Sequence, residues 1–167
     1  MLIFNKPVAC KSKPNFSVSL PFEKRVKGRL RITLDDNQGD AGIDIERGDV
    51  LSNGTLLASD EGSILVVYSE PETVSVAFTN DTRLFSRACY HVGNRHAQVQ
   101  ISDHELIYIH DHVLDDMLRG LGLEVSLEKR PFDPENGAYA SIKSNHHHHE
   151  HHHHHDTERA ETSSEES

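Results

Sequence analysis

The chain has 167 residues, 35% of them hydrophobic and 26% charged, with a net charge of −10 at pH 7. That length holds one medium domain or two small ones. An acidic chain argues against nucleic acid as the main partner, and no stretch approaches the roughly 20 apolar residues that cross a bilayer, so no membrane partner is expected either.

No early apolar run follows a basic start, so no secretory signal is expected. The two thiols, Cys10 and Cys89, lie far apart in sequence. They suggest no disulfide framework, and the expected compartment is the reducing cytoplasm. Each thiol reads first as a small buried hydrophobe.

Residues 1–70 read as short strands separated by turns, with nothing helical. FSVSL at 16–20 and RLRITL at 29–34 alternate apolar and polar side chains, as half-buried strands do. Residues 35–39 break the pattern, and Ile43 and Ile45 alternate around Asp44. Asn53-Gly54 favours a tight hairpin turn. The continuous apolar run ILVV at 64–67 predicts a strand buried on both faces. The basic run KRVKGRLR at 24–31 reads as a solvated strand face, or as a docking patch for an acidic partner. A small all-β domain is expected over 1–70, as two packed sheets or an open barrel.

Pro71 in the polar stretch SEPE marks the next boundary. Residues 73–78 alternate as a strand, and Thr79, Asn80 and Asp81 offer helix caps. Phe85, Ala88, Cys89 and Val92 then form a stripe at helical spacing, and Gly93-Asn94 ends it. Val99 and Ile101 begin a second strand, and LIYIH at 106–110 is a third. Asp111 is a good cap for a helix whose buried stripe is Leu114, Met117, Leu118 and Leu121, with Asp115 and Asp116 near the positive end of its dipole. Gly120 and Gly122 stop that helix, and Val125 and Leu127 form a last strand. The resulting β-α-β-β-α-β order predicts a ferredoxin-like domain over 71–143, and an α+β chain overall.

Residues 144–167 cannot build a core and are expected to be disordered without metal. They hold His146, His147, His148 and His149, then Glu150, then His151, His152, His153, His154 and His155. Glu150 and the acidic continuation speak against an appended tag. Six acids against Arg159 put half of the net charge here.

Cys89, His91, His96, His104, His110 and His112 concentrate the soft and borderline metal ligands of the body in one stretch. Cys89 and His96 are seven residues apart, about 10 Å along a helix, which is too far to share one ion. His96 is expected just past the helix end, on the surface. His110 and His112 flank Asp111, and in extended geometry their rings point to one side. Imidazole suits nickel, copper and zinc. A site with one or two ligands per chain is incomplete, and a two-fold dimer completes it by bringing the same residue from both copies together. His91 and His104 read as surface or structural residues. Catalysis has no footing: there is no His-Glu-x-x-His helix, no nucleophile elbow and no phosphate loop, and the HxH pair lacks a clear third ligand or base for a zinc hydrolase.

ACYHVGNRH at 88–96, YIHDHVLDDMLRGLGLEV at 108–125 and PFDPENGAY at 131–139 resemble the UreE family of urease accessory proteins, which are nickel metallochaperones. The resemblance covers essentially the whole chain. It implies a cytoplasmic homodimer with an N-terminal peptide-binding β domain and a C-terminal ferredoxin-like metal-binding domain. It implies that the GNRH histidine, His96, is the central nickel(II) ligand, lent by both subunits. His110 and His112 match peripheral ligand positions, and the tail histidines would bind further nickel. It implies delivery through a maturation GTPase to the urease apoprotein complex and its dinickel site. Cys89 matches no ligand motif.

Exposed imidazoles leave coordination positions open for exchange, as a carrier needs. Neutral imidazole is the ligand form, so nickel is expected to leave as pH falls through about 6. Zinc and copper(II) suit the same groups in vitro, and copper should bind more tightly, so the preference for nickel rests on the resemblance alone. The rival reading is a divalent-metal buffer or store working mainly through the tail.

Overall fold

Two sheets organise the described residues, 1–8 and 13–136, of the computed structural model. Strands β1 (Ile3–Pro7), β2 (Phe16–Leu20), β3 (Arg29–Thr33), β4 (Asp40–Asp44), β5 (Thr55–Ser59) and β6 (Ile64–Ser69) form the first, in the order β2-β6-β5-β1-β4-β3. It is a mixed sheet: β1 runs parallel to β4 and β2 parallel to β6, while the remaining pairs are antiparallel. Alternation decides the buried side. In β2, Val18 and Leu20 enter the core and Ser19 faces out. The apolar run of β6 buries Leu65, Val66 and Val67 consecutively. Phe4, Ile32, Ile43 and Leu57 complete this core, each contributing about 1.5–3 kcal/mol by leaving water.

Four features of this half depart from the expectations. Hydrogen bonding runs through one sheet of six strands, so the two-sheet alternative does not apply. A one-turn helix, α1 (Phe22–Arg25), follows Pro21, whose carbonyl accepts from the amides of Lys24 and Arg25; four residues are too few to write a helical period into the sequence. Asn53-Gly54 turns the chain into β5 but closes no hairpin, because β4 and β5 lie on opposite sides of β1. The tight turn instead joins β5 to β6 at Gly62, where φ is +83°. Finally, the basic run is not a uniformly solvated face. Arg25 is fully buried, and Arg29 and Arg31 are taken up by Asp44 at 2.9 Å and Asp40 at 2.7 Å.

The second sheet comprises β7 (Pro71–Phe78), β8 (Gln100–Ser102), β9 (Glu105–Ile109) and β10 (Glu124–Pro131), all antiparallel, in the order β10-β7-β9-β8. Helix α2 (Thr82–Gly93) follows β7, and α3 (His112–Leu121) joins β9 to β10, giving the order β-α-β-β-α-β. Ala77, Leu106 and Tyr108 pack with Ala88, Val92, Leu114 and Leu118 of the helices. On the alternate positions of the same strands, Val74, Val76 and Ile107 pack against Phe132, with Phe22 of α1 alongside. The chain is therefore α+β, richer in strand than in helix.

Arg25 ties these parts together. Its guanidinium donates to the carbonyls of Leu20 at 3.2 Å, Leu51 at 3.0 Å and Phe132, and to Asp133 Oδ1 at 3.0 Å. Phe22 meets Phe132 edge-on at 5.3 Å, and its amide donates to Glu72 Oε2 at 2.7 Å. No helix among the described residues is long and apolar enough to cross a membrane.

Candidate metal centre

The first candidate ligand is placed by the way α2 ends. Asp81 caps the helix start, accepting from the amides of Arg83 at 2.8 Å and Leu84 at 3.0 Å. Ala88 and Val92 anchor the buried face, and the chain then unwinds through a tight turn. Asn94 N donates to Tyr90 O at 3.1 Å, Arg95 N to Val92 O and His96 N to Gly93 O, both at 3.0 Å. His96 emerges exposed, with φ at +53° in the left-handed region. Glycine is the usual occupant of such a position at a helix exit.

The second group sits where β9 passes into α3. Asp111 is the cap, and the amide hydrogen bonds of Leu114 and Val113 hold its carboxyl below the usual carboxylate range. His112 takes the first helical position and is exposed. His110 lies on the same strand face as Leu106 and Tyr108, by the two-residue period of β9. Its ring therefore leans toward α3 and β7. Nδ1 is 3.1 Å from Ser75 Oγ and 3.5 Å from Asp115 Oδ2. Asp115 and Ser75 are buried, and Asp115 Oδ1 accepts from the Tyr108 hydroxyl at 2.8 Å. Arg119 approaches Asp115 Oδ2 at 3.6 Å. Burial, reinforced by the Asp115 carboxylate, pushes the Tyr108 phenol well above its ordinary range.

Ser75, Tyr108 and Asp115 escaped the sequence reading, which took Asp115 only as an acid favoured by the helix dipole. A signal was present. Asp115 adjoins Leu114 in the buried stripe, and Tyr108 and His110 share the strand face that this stripe covers.

Among the described residues, no three His, Cys, Asp or Glu side chains come close enough together to hold one ion. Cys89 packs half-buried against the helix-side core, and burial pushes its thiol up. That is the behaviour of a small hydrophobe. His91 stacks edge-on with Tyr90 at 5.4 Å. His104 occupies the β8–β9 turn at φ +64°, near the Phe85 ring. Cys10, the tail histidines His146–His149 and His151–His155, and the end of the PFDPENGAY motif lie outside the described residues. An open groove of about 750 Å³ lies between 26–29 and 44–47 and is lined by none of the candidate ligands.

Two family models match the chain: the N-terminal domain of the UreE urease accessory protein over residues 5–68, and its C-terminal domain over 72–157. A protein named urease accessory protein UreE from Pseudomonas putida strain W619 is 53% identical over 126 residues, covering 75% of this chain and 78% of that protein. A protein of the same name from Vibrio parahaemolyticus is 42% identical over 146 residues, covering 83% of this chain and 91% of its own length. Another, from Escherichia coli O157:H7 strain EC4115, is 44% identical over 147 residues, with coverages of 87% and 95%.

Proposed function

We propose a function from one premise: this chain belongs to the UreE family of urease accessory proteins. It is a carrier rather than a catalyst, a metallochaperone that binds nickel(II) and delivers it for assembly of the urease dinickel centre. The observation that carries this reading is His96, an exposed imidazole held at a helix exit in a backbone conformation that favours glycine. A nickel ion takes about four to six donors. His96 supplies one, and a second copy of the chain on a two-fold axis supplies its equivalent. His110 and His112 are peripheral ligands, and His146–His149 and His151–His155 gather further nickel by raising the local imidazole concentration.

In this reading the protein is a cytoplasmic homodimer. Residues 71–143 form a ferredoxin-like domain that binds metal and dimerises, consistent with the strand order β10-β7-β9-β8. Residues 1–70 form the partner-binding domain, which would meet the urease maturation GTPase and the urease apoprotein complex. Zinc and copper(II) would occupy the same imidazoles in vitro.

The competing account is a metal buffer or store working through the tail. Two variants separate them, His96→Ala and a deletion of 145–167, each titrated with nickel while oligomer mass and activation of urease apoprotein are followed. Delivery that survives the deletion and fails in His96→Ala supports the chaperone. Delivery that survives His96→Ala and fails in the deletion supports the store.

A further inference from the structure

We propose that Asp115, with Ser75, is a positioning residue for nickel capture: it holds the His110 ring with hydrogen on Nδ1 and leaves the Nε2 lone pair free for the ion. The inference rests on the reading of His110 as a ligand and adds the groups that make it one.

An imidazole ligates through a bare nitrogen, so which nitrogen carries the hydrogen decides whether the outward one can bind. Ligating histidines usually donate their other ring N–H to a carboxylate or carbonyl, which fixes the tautomer and orientation and raises the basicity of the ligating nitrogen. His110 has this arrangement built in. Nδ1 faces the Asp115 carboxylate at 3.5 Å and the Ser75 hydroxyl oxygen at 3.1 Å. Asp115 has little freedom to turn away, since it is 3% exposed and its other oxygen accepts from Tyr108 at 2.8 Å. Arg119 completes its surroundings at 3.6 Å. Tyr108 is itself 1% exposed in the helix-side core. The order runs from packed phenol to buried carboxylate to half-exposed imidazole, each link aimed by the one beneath it.

Asp115→Asn should reverse the tautomer without removing atoms. The Tyr108 hydroxyl would go on donating to the amide oxygen. The amide NH2 would then face Nδ1, which becomes the acceptor, and the hydrogen moves to Nε2. The full-length chain with isotopically labelled histidine, followed by proton–nitrogen NMR, tests this directly, with His110 assigned by comparison with His110→Ala. The wild type should show the Nδ1–H tautomer, and its Nε2 signal should respond to added nickel chloride. In Asp115→Asn the tautomer should switch, and His110 should need about tenfold more free nickel to respond, while the His96 response stays unchanged.

An unaltered tautomer in Asp115→Asn, or an altered tautomer with unaltered nickel response at His110, overturns the positioning role and leaves His110 a ligand. A wild-type His110 that ignores nickel overturns the ligand reading and this inference together. If Asp115→Asn fails to fold, Tyr108→Phe replaces it. Freed of its anchor, Asp115 should let both tautomers appear, and a wild-type pattern there overturns the proposal equally.

Discussion

His96 pays for its place in backbone conformation. An L-residue at φ +53° sits in a region that costs about 1 kcal/mol relative to glycine, although histidine tolerates it better than most. His96→Gly should therefore leave the fold intact, with urea unfolding showing stability unchanged or raised by up to about 1 kcal/mol. The same variant should lose the nickel bound at that position in titration. A protein that became clearly less stable would mean that the imidazole serves packing, not ligation. His104 shares the left-handed conformation, but in a hairpin turn, where such geometry is ordinary. The sequence placed His96 correctly, just past a helix end and exposed, because Gly93 announced the end. It could not show the strain, which is a property of φ. Nor could it show the Ser75 and Asp115 contacts of His110, because these depend on how α3 settles on the sheet.

At the level of elements, legibility followed length and capping. The stripe of α2 and its cap Asp81, the stripe of α3 and its cap Asp111, and the alternating strands β2 and β7 were all readable, since each repeats its period at least twice. Strands β1 and β5 were missed. IFNKP in β1 sets its two large apolar residues side by side, and TLLAS in β5 runs three apolar residues together between Thr55 and Ser59, so neither shows a two-residue period. Helix α1 is a single turn. Asn53-Gly54 misled because turn chemistry is local, whereas the pairing of strands is decided by the whole sheet. The caps can be tested for weight. Asp81→Ala leaves the Arg83 and Leu84 amides without their acceptor, and should lower stability by about 1 kcal/mol in urea unfolding. Asp81→Ser should recover most of that, whereas equal losses from both would show that the cap is not what holds the helix start.

Over the whole molecule, Arg25 is the knot. It is 0% exposed and draws in Leu20, Leu51, Phe132 and Asp133, residues from three separate parts of the chain. The sequence hid it among surface cations, since burial of one arginine in a basic run has no compositional mark. Arg25→Met keeps the bulk but strands the Leu51 and Phe132 carbonyls, while Leu20 O keeps the Glu70 amide, and should cost about 3 kcal/mol or more in urea unfolding. Asp133→Ala leaves the carbonyl acceptors of Arg25 in place but removes its carboxylate partner and the acceptor of the Asn53 amide, and should cost less, about 2 kcal/mol. Equal losses would mean that the ion pair, rather than the carbonyl bonds, carries the contact. Strand β1 has a further consequence. It is synthesised before the other strands of its sheet yet sits between β4 and β5, whose residues arrive some forty to fifty positions later. Its own backbone groups have nothing to pair with until those strands exist. Assembly of this half must therefore wait on distant segments, a topology that folds slowly and leaves its earliest stretch open to chaperones and to neighbouring chains while it waits.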